Sequence, residues 1–223
     1  MADIRSALCG MALESPVIAG ASNKTGSVDT IEKLAAAGAG AVVLKSLFEE
    51  QILADAAREA GKGGVVYGHE DLDGYVSYYE RKHSIGEYVR LVKDCKARVH
   101  VPVIPSINAA TGSEWVAIAG ELAGAGADAL QLNLFVSPFD ASRSSCAIEA
   151  DYADIVGKVK QATRLPVIAK IGQHFTGIPG MVGALASAGA DAVVLFNRYY
   201  SPDVDIDTLK YKPAGIFSSA GEH

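Results

Sequence analysis

Two lysines, three asparagines and a serine stand at the ends of apolar stretches where an ordinary core strand carries none of them. Lys45 closes AVVLK, Asn133 closes LQLN and Asn197 closes VVLFN; Ser22, Asn108 and Lys170 close IAGAS, VIPSIN and VIAK. Any one of these residues is explained as a polar marker where a strand leaves the core. Six of them together, two being lysines, describe a site. A lysine at the end of an apolar run is costly to bury unless an anion or a dipole meets it. The chemistry indicated is the binding of an anionic ligand, with Lys45 or Lys170 also available as an amine nucleophile for a Schiff-base or phosphate-binding lyase.

The elements that position these residues are written as an internal repeat. LAAAGAGAVVLKS at 34–46 recurs as LAGAGADALQLNL at 122–134 and LASAGADAVVLFN at 185–197. Each copy reads as a helix end, a glycine stop and a short apolar strand. Ahead of each copy lies a second strand motif, SPVIAGAS at 15–22, VPVIPSIN at 101–108 and LPVIAKIG at 165–172. Helical stretches such as 28–38 and 113–126 join the two motifs. The unit is β-α-β-α, repeated three times, and wholly apolar strands alternating with helices predict a parallel sheet covered by helices. A doubly wound sheet satisfies that pattern. A TIM-type (β/α)8 barrel, with about six of its eight strands present, satisfies the paired repeat better. In such a barrel the strand ends share the C-terminal mouth, where active sites are built.

Bulk properties narrow the partners. A chain of 223 residues, nearly half of them apolar, is long enough for one large domain, and its net charge of −6 argues against a nucleic-acid partner. It has no apolar run of membrane-spanning length, and its first residues do not read as a signal peptide, so no membrane partner and a cytoplasmic location are expected. Cys9, Cys95 and Cys146 form neither a metal pattern nor a disulfide framework, which fits a reduced compartment.

GAS at 20–22, AVVLKS at 41–46, PSIN at 105–108, LQLNL at 130–134, PVIAKIG at 166–172 and VVLFN at 193–197 follow, in order and spacing, the pattern of the flavin-dependent dihydroorotate dehydrogenase family. The chain resembles that family over about residues 10–200, and its divergent members more than its pyrimidine-biosynthesis enzymes. The resemblance implies a barrel holding FMN at its mouth and an oxidoreductase acting on a CH–CH bond of a small anionic substrate. Ala21 and Ser22 would meet the flavin through the first strand–helix turn, and Lys45 would lie by its N1/O2 edge. Asn108, Asn133 and Lys170 would bind the cofactor. Lys45, Asn133 and Asn197 would face the substrate.

The family's catalytic base is a Cys or Ser placed directly before a proline, after the fourth strand. In LQLNLFVSP that position falls to Ser137, displaced by one residue and lacking the second Asn that normally follows. Ser137 is therefore the candidate base, and a Ser-Pro turn residue is the equal alternative. Cys146, further along, reads as a quiet thiol before a helix. The segment 47–100 between the second and third strands lacks the family's substrate signature. It offers His69, Tyr75, Tyr78, Tyr79 and Arg81 in GHEDLDGYVSYYERKH, read as an insertion or lid over the mouth. Only 26 residues follow Asn197, against roughly 60 for another double unit. They suggest at most a short hairpin. An open edge between the first and sixth strands is expected. The sequence reads first as a fragment lacking the C-terminal quarter of the barrel, next as a chain that a homo-oligomer or a second chain completes, and least as one whose own tail closes the sheet.

Overall fold

The computed structural model of the chain describes residues 3–47, 85–108, 112–135, 142–197, 203–207 and 210–212. An antiparallel hairpin, β1 (Ser6–Leu8) and β2 (Met11–Leu13), comes first. The core then runs β3 (Ile18–Ala19), α1 (Val28–Ala36), β4 (Ala41–Val43), α2 (a helix over 85–98), β5 (Val103–Ile104), β6 (Ser106–Ile107), α3 (Gly112–Gly124), β7 (Leu130–Asn133), α4 (Ser145–Ala162), β8 (Val167–Ile171), α5 (Ile178–Ser187) and β9 (Ala192–Leu195). A second hairpin, β10 (Asp203–Asp205) with β11 (Lys210–Lys212), lies in the segment where one was expected.

All core strands are parallel, and apart from the break between β5 and β6 each pairs with the next in chain order. β5 and β6 are halves of one strand interrupted at Pro105; the first half pairs with β4 and the second with β7. Six parallel strands alternating with helices make the β/α architecture predicted from the repeat. Among the described residues β3 and β9 each pair on one side only. Val17 and Leu195 beside those edges are 65% and 50% exposed.

Side-chain alternation along the strands divides the core in two. Val42, Leu44, Val103, Leu130, Leu132, Val167, Ala169 and Ile171 point outward to the helices, where Ile31, Val92, Trp115, Leu122, Val156 and Leu185 meet them. Ala41, Val43, Ile104, Ala129 and Ile168 point to the opposite, inner face. There they meet Leu13, with Leu8, Cys9 and Met11 packed against the same cluster. The N-terminal hairpin, which the repeat did not announce, therefore covers the inner face beside the first residues of the strands.

The repeat has a physical basis at each strand entrance. Gly38, Gly126 and Gly189 stop the three helices in the left-handed region, with φ of 96°, 90° and 107°, where a Cβ is strained. Two residues later the units diverge to Gly40, Asp128 and Asp191, whose N–H groups donate to Val17, Val103 and Val167 carbonyls. Asp128 and Asp191 also accept the Val103 and Val167 N–H groups at 2.7 Å and pair with Lys96 and Lys160. In the first unit Ser15 replaces the carboxylate by accepting the Val17 N–H through Oγ at 3.2 Å. Its backbone then occupies the space of the missing side chain: a Cβ on Gly40 would lie 1.9 Å from the Ser15 carbonyl oxygen.

Candidate functional site

The polar strand ends gather where the strands leave the sheet. Asn133 and Lys170 are register partners on β7 and β8, and Lys170 is in turn level with Val194 on β9. On the other side Ile107 pairs with Leu132, so Asn108, one residue on, stands level with Asn133. The result is a row, Asn108–Asn133–Lys170, across three adjacent strands. It continues the inner-face row of Ser106, Gln131 and Ile168 one step toward the mouth.

Asn108 and Asn133 are 4% and 5% exposed, yet the Asn108 Nδ2 and the Asn133 Oδ1 are buried with no hydrogen-bond partner. A buried amide atom left unsatisfied costs about 1–3 kcal/mol, and native chains avoid it unless a ligand or an ordered water supplies the partner. These two atoms are a donor and an acceptor in one row. They fit a ligand with polar groups on its edge, as the isoalloxazine of FMN has.

Lys45 reaches the same end from β4. Its backbone N–H donates to the Thr25 carbonyl at 3.1 Å, and its stem runs past Gly26. Thr25 is itself fixed by the turn after β3. Its hydroxyl donates to the Ser22 carbonyl and accepts the Ser22 N–H, both at 3.0 Å, while Ser22 Oγ accepts the Lys24 N–H. Ser22 thus caps the 3-10 turn Asn23–Thr25, and Ala21 packs against the inner-face cluster. Asn197 follows β9 and donates its N–H to the Ile171 carbonyl at 2.8 Å.

Of the residues predicted to form the site, Lys45, Asn108, Asn133, Lys170 and Asn197 thus fall at the same ends of neighbouring strands, and Ala21 and Ser22 in the adjoining turn. Ser137 lies outside the described residues, as do His69, Tyr75, Tyr78, Tyr79 and Arg81. Of the segment 47–100, residues 85–98 form α2, whose Tyr88, Val92 and Cys95 are buried in the outer core. His174, beyond β8, is exposed, and Cys146 is an exposed residue in the first turn of α4.

A buried polar layer under the amide row was not singled out from the sequence. Ser106 Oγ sits 2.8 Å from Ser46 Oγ and accepts from Gln131 Nε2 at 3.0 Å. The Tyr88 hydroxyl accepts the Ser106 N–H at 2.9 Å and donates to the Ser106 carbonyl at 3.0 Å. Burial raises the Tyr88 phenol far above its ordinary pKa, which keeps it a neutral donor. The available signal was positional: Ser106 and Gln131 lie two residues before Asn108 and Asn133 and so share their face.

A groove lined by Glu32, Ala36, Arg98 and Val101 lies at the other end of the strands, and its Arg98 is engaged by Glu32 and Asp29. Among the described residues no three or more His, Cys, Asp or Glu side chains cluster to hold a metal ion, and no helix is long and apolar enough to cross a membrane.

Comparison with solved structures returns the fold. Two crystal structures of phosphonopyruvate hydrolase, one with oxalate and Mg++, align at a TM-score of 0.50 and 17% identity. The alignments cover 80% and 79% of this chain and 57% and 56% of theirs. No family model matches the chain. Curated sequences are more specific. The catalytic subunit of dihydroorotate dehydrogenase B (NAD(+)) from Desulforudis audaxviator is 37% identical over 54% of this chain and 40% of its own length. That from Methanocella arvoryzae is 31% identical over 89% of this chain and 63% of its own, and that from Thermoplasma volcanium 26% identical over 92% and 65%. The chain thus spans less than two thirds of the length of these relatives. With similarity of this extent and a parallel β/α sheet ending in the amide row, the chain resembles the dihydroorotate dehydrogenase family over most of its length.

Proposed function

We propose that the chain carries the flavin-facing part of an FMN-dependent oxidoreductase of the dihydroorotate dehydrogenase kind, acting on a CH–CH bond of a small anionic substrate. The observation that carries this reading is the pair of unpartnered buried amide atoms, Asn108 Nδ2 and Asn133 Oδ1, in one row with Lys170. Asn108 and Asn133 hold the cofactor's polar edge, with Ala21 and Ser22 against it from the first turn. Lys45 and Lys170 bring two cations to a mouth that takes an anionic ligand, and preorganised charge there is worth more than in water. Asn197 and Asn133 orient the substrate. FMN, when bound, supplies the two-electron acceptor that the side chains lack. Forming a C=C bond also releases a proton from the neighbouring carbon, for which Ser137 is the candidate base by position.

Freshly purified protein tests the reading. Expected is a yellow protein from which FMN is released on denaturation, or a colourless one that takes up FMN on titration. Colourless protein that binds none under any condition overturns it and leaves a scaffold without cofactor. The Schiff-base or phosphate-binding lyase reading draws on the same Lys45 and Lys170. The likeness to phosphonopyruvate hydrolase, being one of fold, adds no chemistry to it. Borohydride trapping of a carbonyl substrate on one lysine would favour that alternative.

A further inference from the structure

We propose that Tyr88, Ser46, Ser106 and Gln131 are positioning residues, which set the kink at Pro105 and through it the relative placement of Asn108 and Asn133. The inference rests on the reading of those two asparagines as the cofactor-facing amides.

The split strand is out of step with both neighbours. On the β4 side Val42 donates to the Pro102 carbonyl and Leu44 to that of Ile104, but it is Leu47, not the residue at 46, that donates to the Ser106 carbonyl. On the β7 side Asp128 donates to the Val103 carbonyl and Gln131, three residues later, to that of Pro105. Each neighbour therefore runs one extra residue past Pro105, the geometry of a β-bulge, which re-aims the side chains that follow. Pro105 brings no N–H to the ladder. The next N–H, that of Ser106, is taken by the phenol of Tyr88 reaching in from α2.

On the inner face the extra residue of the first bulge carries Ser46 onto Ser106, and Gln131 closes the cluster from the second side. All of these side chains are buried, and a buried hydrogen-bonded network of this kind fixes one geometry where apolar packing would tolerate several. The next inward residues along the two strands are Asn108 and Asn133. The Asn108 Nδ2 and Asn133 Oδ1 lack partners, so where these two atoms stand relative to each other follows from the strand geometry that this layer sets.

The chain contains four asparagines, Asn23, Asn108, Asn133 and Asn197, which makes the test direct. The full chain, labelled with 15N at asparagine and free of flavin, gives four side-chain NH2 signals, assigned by single Asn→Asp substitutions. Tyr88→Phe removes one oxygen and keeps the ring in the core; Ser46→Ala is a second mild variant and Gln131→Met a stronger one. Expected in the folded variants are displaced Asn108 and Asn133 signals with unchanged Asn23 and Asn197 signals, and FMN affinity lower by about tenfold. Unmoved Asn108 and Asn133 signals in Tyr88→Phe and Ser46→Ala overturn the proposal, even where the wild type binds FMN. Displaced signals in the variants, with a wild type that binds no FMN, sustain the positioning role and overturn the cofactor reading instead.

Discussion

Asn133 and Lys170 are register partners on adjacent parallel strands, and the N–H immediately after Asn133 donates to the Lys170 carbonyl at 3.0 Å. The backbone thereby fixes an amide and an ammonium-bearing side chain at the same level of the inner face. Asn133 Oδ1 is buried and unpaired there, so this residue weakens the fold that carries it. An apolar side chain of similar size gives up no hydrogen bond at that oxygen and removes the cost of burying it unpaired. Asn133→Leu is expected to raise the unfolding free energy by up to about 1 kcal/mol while removing FMN uptake. Denaturant unfolding and flavin titration of one preparation check it. A destabilisation of similar size would make Asn133 a structural residue.

Lys45 is positioned through its backbone, whose N–H the Thr25 carbonyl takes, and its stem runs past Gly26. Lys45→Met keeps the stem and removes only the cation. A lost charge-assisted hydrogen bond of about 1.5–3 kcal/mol corresponds to roughly 10- to 150-fold weaker binding of FMN or of an anionic substrate. Lys45→Arg is expected to restore little, because a planar guanidinium does not reproduce a compact ammonium. Isothermal titration of the three proteins decides this.

Gly40 fits where no other residue does. With a Cβ placed 1.9 Å from the Ser15 carbonyl oxygen, Gly40→Ala has to push the chain ahead of β3 away from β4. The expected loss is about 3 kcal/mol or more, read as a lower midpoint in denaturant. Ser15→Ala, which removes only the cap on the Val17 N–H, is expected to cost about 1 kcal/mol.

The same position shows what was legible in the sequence. Repeated glycine stops and apolar runs announced six strands in order, because parallel strands buried on both faces are written as continuous apolar segments. The strand-end polar residues were legible for the same reason, since Lys45, Asn133 and Asn197 interrupt that pattern at matching points. The bulges beside Pro105 were not, because register is set between strands and leaves no local mark. The N-terminal hairpin was hidden too: Leu8, Met11 and Leu13 carry no period long enough to read. Ser46, Ser106 and Gln131 looked like ordinary strand neighbours until the fold brought residues 60 apart in sequence to within 2.8 Å.

Two of the cysteines are expected to differ in reactivity by environment alone. Burial, with Asp94 adding to it, pushes the Cys95 thiol up to about 11, whereas Cys146 is exposed in the first turn of α4. Burial also raises the partly covered Cys9. The thiolate is the reactive form, so a chromogenic disulfide reagent at neutral pH is expected to label Cys146 first, Cys9 slowly and Cys95 only on unfolding. Rapid labelling of Cys95 in the folded chain would mean that α2 opens readily from the sheet.

Asp191 couples strand β8 to pH. Desolvation raises its pKa, but the hydrogen bond from Lys160 and the Val167 N–H outweigh it, so the carboxyl titrates below its ordinary 3.8. A folded-state pKa below the unfolded one means that the contribution to stability is fully present above the ordinary value. It is lost as pH falls from there through the lower folded value. Asp191 is 35% exposed in its ion pair, so screening limits the gain to about 1 kcal/mol or less. Asp191→Asn retains an oxygen to accept the Val167 N–H and loses the pairing with Lys160. The difference in unfolding free energy between wild type and Asp191→Asn is expected to be constant from pH 7 to pH 5 and to shrink below pH of about 4. A difference that persists unchanged at pH of about 2.5 would show that the carboxylate acts through packing and not through its charge.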